Sequence, residues 1–116
     1  MRTASISLLA FSMIGGSAHC QAVGTADEVS KGRHLATMLC TTCHVVAPDQ
    51  PYAPTLNPLA PSFASIAQGP GVDMTSLRKF LTSTRQGFDN PNGMPDPHLA
   101  DFQIKEIGAY ILSLKK

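Results

Sequence analysis

Apolar residues recur at helical spacing near the start of the chain, after a sequence that favours helix initiation. Residues 25–28 read Thr-Ala-Asp-Glu, which is typical of a capping box in which Thr25 begins a helix and Glu28 reaches back to it. The buried face predicted for this helix consists of Val29, Gly32, Ala36 and Leu39.

Three further helices are predicted in the second half of the chain. The first is a short helix at 62–68, with Phe63, Ile66 and Ala67 facing inward. Asp73 can cap the second, whose apolar face consists of Met74, Leu77, Phe80 and Leu81. The third runs from about 101 to 114, and its apolar stripe consists of Ile104, Ile107, Tyr110, Ile111 and Leu114. Because no segment alternates apolar and polar residues over a strand's length, the pattern predicts an all-α fold.

A proline-rich tract separates the first helix from the others. Residues 45–61 contain five prolines and no helical periodicity. A loop of about 17 residues is unusual in so small a domain unless it has a function. Wrapping a large apolar cofactor would give it one.

Composition also favours a cofactor. The 116 residues are enough for one domain, but only 6% are aromatic, and glycine and proline number nine each. A core built from these side chains alone would be thin. A metal, a cofactor or disulfides could complete it.

Residues 1–22 have the features of a secretory signal peptide. Arg2 precedes an apolar run at 6–14, which is too short to span a bilayer, and small residues follow for cleavage after Ala18 or Ala22. A buried apolar helix and lipid attachment at Cys20 are the alternatives. We therefore expect export to the periplasm of a bacterium.

The domain that remains, 23–116, would carry balanced charge. Loss of Arg2 leaves eight basic and eight acidic residues. No basic stripe indicates binding to nucleic acid or to an anionic membrane. We expect no nucleic-acid partner and no stable membrane insertion after cleavage.

The motif with the most specific chemistry is Cys-Thr-Thr-Cys-His at 40–44. Structural zinc would need a second ligand pair, which the sequence does not offer at similar spacing. A thioredoxin-like redox site expects a βαβ setting, and a plain disulfide between Cys40 and Cys43 is the remaining alternative. C-x-x-C-H most directly indicates covalent haem c, because two cysteines three residues apart can reach the two vinyl groups while the adjacent imidazole faces the iron.

Four features in order resemble the small class I c-type cytochromes. Gly32 lies eight residues before Cys40, and the C-x-x-C-H motif follows. Pro-Ser-Phe at 61–63 comes next, and then Asn-Gly-Met-Pro at 92–95 with the helix around 109–114. The resemblance covers 23–116 and implies a cytochrome c-like fold. In that fold the N- and C-terminal helices cross, and short helices and the proline-rich loop wrap one covalent haem.

The resemblance also assigns roles to residues. His44 would be the proximal iron ligand, with its other ring nitrogen held by the carbonyl of Pro61. Met94 is the preferred sixth ligand, because Pro95 holds it extended and Gly93 gives the turn its freedom. The competing residues are Met38, Met74, His34 and His98; of these, Met38 is too close to the attachment site along the chain and Met74 has the spacing of a core residue.

These roles imply a carrier rather than an enzyme. With haem c bound through Cys40 and Cys43 and ligated by His44 and Met94, we expect a monomeric periplasmic carrier of single electrons. Its partners would be redox proteins: a dehydrogenase or respiratory complex as donor, and a terminal oxidase or reductase as acceptor. The alternatives are an electron-transfer subunit tightly bound to a periplasmic dehydrogenase and a haem-based ligand-binding or sensor protein.

Overall fold

A computed structural model describes residues 23–56, 60–83 and 93–116. Over these ranges the chain forms four helices and no strands, which confirms the all-α prediction. The helices are α1 (Ala26–Leu39), α2 (Phe63–Ala67), α3 (Met74–Ser83) and α4 (Asp101–Ser113). The predicted signal peptide, residues 57–59 of the proline-rich tract and residues 84–92, which include the start of the methionine loop, lie outside the described residues. None of the four helices is long and apolar enough to cross a membrane.

Local hydrogen bonds explain where α1 and α3 begin. The Thr25 side chain accepts from the Glu28 N–H at 3.2 Å, and the Glu28 carboxylate accepts from the Thr25 N–H at 3.0 Å. The predicted capping box is therefore present. Asp73 caps α3 by accepting from the Ser76 N–H at 2.7 Å. Each cap satisfies backbone donors that the first helical turn cannot pair internally.

The helix α4 packs against each of the other three helices, and its most extensive contact is with α1. Gly32 lies at that crossing, and a Cβ added there would fall 1.9 Å from the Glu106 carbonyl oxygen. Only a glycine lets the two backbones come so close. Ile104, Ile107 and Tyr110 are buried along the same face of α4, as the apolar stripe predicted.

Two predicted core positions are exposed. Leu39 is 50% exposed, because the buried stripe of α1 continues from Ala36 to the half-buried Cys40 instead. Phe80 is 51% exposed, because the buried face of α3 follows Leu77 and Leu81. In both helices the next buried or half-buried residue of the stripe lies four positions after the last one, and the apolar residue three positions after it is exposed.

Candidate functional site

The Cys-Thr-Thr-Cys-His motif forms the turn that ends α1. Cys40 donates its N–H to the Ala36 carbonyl at 2.9 Å and so closes the helix. Its own carbonyl then accepts from the N–H groups of Cys43 at 3.2 Å and His44 at 2.9 Å. These bonds place both thiols and the imidazole on one compact turn.

His44 is buried and held by a hydrogen bond across the proline-rich tract. Its Nδ1 lies 2.6 Å from the Pro61 carbonyl oxygen, and only 8% of the residue is exposed. Because a carbonyl can only accept, Nδ1 must carry the proton, and Nε2 keeps its lone pair. The ring packs against Phe63, with 5.5 Å between centroids. An imidazole fixed in this tautomer can ligate a metal through Nε2. The resemblance anticipated this contact with Pro61.

The backbone after His44 is attached to three other elements. The Val45 carbonyl accepts from the Phe63 N–H at 2.9 Å, at the start of α2. The Val46 carbonyl accepts from the Tyr110 hydroxyl of α4 at 2.7 Å. Asp49 accepts from the Arg33 guanidinium of α1 at 2.6 Å, which holds the pKa of that carboxyl below its ordinary value. Hydrogen bonds to α2, α4 and α1 therefore fix the position of this segment.

Sequence reasoning missed the polar partners of this segment. The apolar stripe predicts only a packing role for Tyr110, and the sequence pattern predicts no role for Arg33, Asp49 or Gln50. A local turn signal exists for Asp49 and Gln50, since they lie between Pro48 and Pro51. The hydroxyl contact of Tyr110 joins residues 64 positions apart and leaves no local signal.

The donor set fits haem c better than the alternatives. Cys40 and Cys43 are not joined in a disulfide, and the described residues contain no strand on which a thioredoxin-like motif could stand. They also contain no group of three or more His, Cys, Asp or Glu side chains that could hold a metal ion, as zinc would require. Two unpaired thiols and one oriented imidazole remain, which is the set that covalent haem needs.

The surroundings of the turn are compatible with a large apolar ligand. Burial, with a smaller contribution from the Cys43 thiol, raises the pKa of Cys40 to about 11, so this group is an uncharged thiol at neutral pH. Large apolar side chains bordering the turn are exposed: Met38, Leu39 and Leu56. Leu56 belongs to this border because the neighbouring Thr55 donates its N–H to the Thr42 carbonyl at 3.0 Å. An apolar group bound at the turn would have uncovered apolar surface beside it.

The candidates for a sixth ligand lie in different surroundings. Met74 lies in the interface between α3 and α4, where a Cβ on Gly108 would meet its sulfur at 2.8 Å. This contact agrees with the packing role predicted for Met74, but the side chain is half-buried and so lies at the edge of the core. Met38 is 66% exposed, and His34 is also exposed.

The remaining two candidates lie on the loop before α4. Met94 is half-buried at the start of the described segment 93–100. The side chain of His98 is 88% exposed, and its Nδ1 lies 3.7 Å from the Asp96 carboxylate. Its backbone adopts φ +48° with its N–H bonded to Asp96 at 2.8 Å. Ligation of iron by Met94 stays a prediction.

Comparisons with known proteins agree with this chemistry. The sequence profile of one family, described as cytochrome c, matches residues 29–115. A curated relative, cytochrome c-552 of Bradyrhizobium diazoefficiens, is 36% identical over 90 residues, which cover 78% of each chain. No solved structure matched the chain.

Proposed function

Because the chain belongs to the cytochrome c family, and so to haem-based electron-transfer proteins, we propose that it is a periplasmic single-electron carrier with His/Met ligation. One haem c would be attached through Cys40 and Cys43 and ligated by His44 and Met94. The observation that carries the proposal is the buried His44, fixed by Pro61 on the same turn as two unpaired thiols.

The proposed role of Pro61 follows from its contact with His44. Its carbonyl accepts a hydrogen bond from the Nδ1–H group, which keeps the proton on Nδ1 and leaves Nε2 free to bind iron. The same bond raises the basicity of the imidazole and fixes the plane of the ring. When bound, haem c would supply one-electron chemistry at its iron.

Met94 is the preferred partner of His44 because the competing side chains are engaged or exposed. Met74 is packed against Gly108, and the ring of His98 is largely solvent-exposed beside Asp96. A thioether ligand would raise the reduction potential. With His44 and Met94 both bound, no axial position would stay open for a substrate, which suits a carrier.

Location and partners belong to the same proposal. Residues 1–22 would direct export and be cleaved after Ala18 or Ala22, and redox proteins would act as donor and acceptor. The relative named cytochrome c-552 supports the carrier class. A subunit bound to a dehydrogenase would instead co-purify with its enzyme, and a ligand-binding or sensor protein would leave an axial position accessible.

The test is a visible spectrum of the oxidised and reduced protein, with and without carbon monoxide. We expect a low-spin c-type spectrum that carbon monoxide does not change. Met94→Ala should lose that spectrum, bind carbon monoxide and have a lower potential, whereas the matched control Met74→Leu should keep the wild-type spectrum. Carbon monoxide binding to the wild type would favour the sensor alternative, and an unchanged spectrum in Met94→Ala would move the ligand to another residue.

Covalent attachment has its own test. Haem staining should survive denaturing electrophoresis in the wild type and vanish when Cys40 and Cys43 are both replaced by alanine. Staining that persists in the double variant would refute attachment through these thiols.

A further inference from the structure

The side chain of Gln50 closes a turn on the segment that follows His44. Its Oε1 accepts from the Val46 N–H at 2.7 Å and lies 3.5 Å from the Ala47 nitrogen. Its Nε2 donates to the Tyr52 carbonyl at 2.7 Å. Since an amide oxygen only accepts and an amide nitrogen only donates, these partners fix the amide in one orientation.

The bond to Val46 satisfies a group that water cannot reach. Val46 is 1% exposed, so its N–H needs a partner within the protein. Gln50 supplies that partner, and the Tyr110 hydroxyl supplies the one for the Val46 carbonyl. Both polar backbone groups of this residue, two positions after His44, are therefore held by side chains.

The backbone of Gln50 is prepared for this contact. The following residue, Pro51, keeps Gln50 out of the helical region. The Gln50 N–H also donates to the Ala47 carbonyl at 3.3 Å, which closes the turn a second time. The Gln50 backbone is therefore already restricted, and it loses little conformational entropy when the side chain binds the Val46 amide.

We propose that Gln50 is a positioning residue for His44, a role that rests on the proposed function. By holding the Val46 amide, Gln50 fixes the backbone that leaves His44 and so keeps the imidazole in register with the Pro61 carbonyl. Without Gln50 the Nδ1–H bond to Pro61 would loosen. The imidazole would then be a weaker donor, and the potential would rise because the oxidised iron would be less stabilised.

The experiment uses the haem-loaded protein with Gln50→Leu, Gln50→Glu and a control, Gln68→Leu. Gln68 is a matched control because its amide also bridges two backbone groups, at Leu114 and Lys116, but near the end of α4. Amide hydrogen exchange is followed by NMR. In Gln50→Leu we expect exchange at Val46 to accelerate by about tenfold, as for one lost hydrogen bond. Gln50→Glu should restore part of the protection, because a carboxylate oxygen also accepts from the Val46 amide but cannot donate to the Tyr52 carbonyl.

The reduction potential separates positioning from a purely structural role. Gln50→Leu should raise the potential relative to the wild type, and Gln68→Leu should not. Both substitutions are neutral, so no new charge contributes to the difference. Faster exchange at Val46 with a potential equal to that of Gln68→Leu would overturn the positioning role.

Other outcomes also decide the matter. Wild-type protection of Val46 in Gln50→Leu would refute the contact, as would equal acceleration in Gln68→Leu. If Gln50→Leu does not fold, complete loss of Val46 protection in a folded Gln50→Glu would overturn the proposal. A wild-type protein with no haem spectrum would refute the proposed function itself, a result distinct from any change in the Gln50 variants.

Discussion

At the crossing of α1 and α4, we predict that replacing Gly32 by alanine destabilises the fold, although helix propensity alone would predict stabilisation. Gly32→Ala should stabilise an isolated helix by about 1 kcal/mol, because alanine is the better helix former. In the folded protein the new Cβ would lie 1.9 Å from the Glu106 carbonyl oxygen and 2.4 Å from its carbonyl carbon. These are backbone atoms of another helix, so no side-chain rotation can relieve the clash.

The cost can be worked from this geometry. A normal carbon–oxygen contact would require the two helices to separate by roughly 1.5 Å at this point. Overpacking of this kind costs about 1–3 kcal/mol, and here it also loosens the main interface of α4. We expect Gly32→Ala to lower the free energy of unfolding by about 2 kcal/mol overall. For a domain of this size, the thermal midpoint should fall by roughly 10 °C.

Gly108→Ala is the matched control for this experiment. It too places a methyl group on a buried helical glycine, but its nearest neighbour is the sulfur of Met74, at 2.8 Å. A thioether can change rotamer, so the control should cost much less than Gly32→Ala. The assay is guanidinium unfolding of both variants, followed by circular dichroism. A Gly32→Ala protein as stable as Gly108→Ala would refute the argument from backbone contact.

Two further predictions concern the segment after His44. Tyr110→Phe removes the hydroxyl that donates to the buried Val46 carbonyl, so the free energy of unfolding should fall by about 1–2 kcal/mol. The control Tyr52→Phe, at a residue that is 80% exposed, should leave that free energy unchanged. Equal free energies of unfolding for the two variants would contradict the prediction. Hydrogen bonding to Arg33 lowers the pKa of Asp49, so the pair should stabilise the fold above the ordinary Asp pKa of about 3.9 and lose this effect as pH falls through the lowered value. Asp49→Asn should therefore unfold at slightly lower denaturant than the wild type at pH 7, with the difference vanishing in acid; a difference independent of pH would contradict the ion-pair interpretation.

Capping motifs and helical periodicity predicted much of the fold, because the residues that form them are neighbours in sequence. The bonds between Thr25 and Glu28 span three residues, and the stripe on α4 repeats every three or four. The errors at Leu39 and Phe80 have the same origin. A helical stripe allows steps of three or four, and only the neighbouring helix decides which residue at its margin is covered.

The candidate site was predictable to a similar degree. The spacing of Cys40, Cys43 and His44 predicts the attachment chemistry, which stays a prediction, and the resemblance to a family predicted the contact of His44 with the Pro61 carbonyl. What the sequence could not provide is how the segment after His44 is held by α1, α2 and α4, because these partners come from distant positions. The Tyr110 hydroxyl and the Val46 carbonyl meet only when α4 packs beside α1, and no pattern in the sequence predicts this contact.

The orientation of the proposed iron ligand thus depends on how α1 and α4 pack, and not only on the residues beside His44. Gly32 lets α4 approach α1, and this approach places Tyr110 over the Val46 carbonyl. Val46 is fixed from its other side by Gln50, within the proline-rich tract. A substitution at the helix crossing should therefore change the orientation of His44, even though the substituted residue contacts no proposed iron ligand. The long loop, unusual for so small a domain, has a physical role in this arrangement: it supplies both the Pro61 carbonyl that fixes the ring and the Gln50 amide that fixes the backbone.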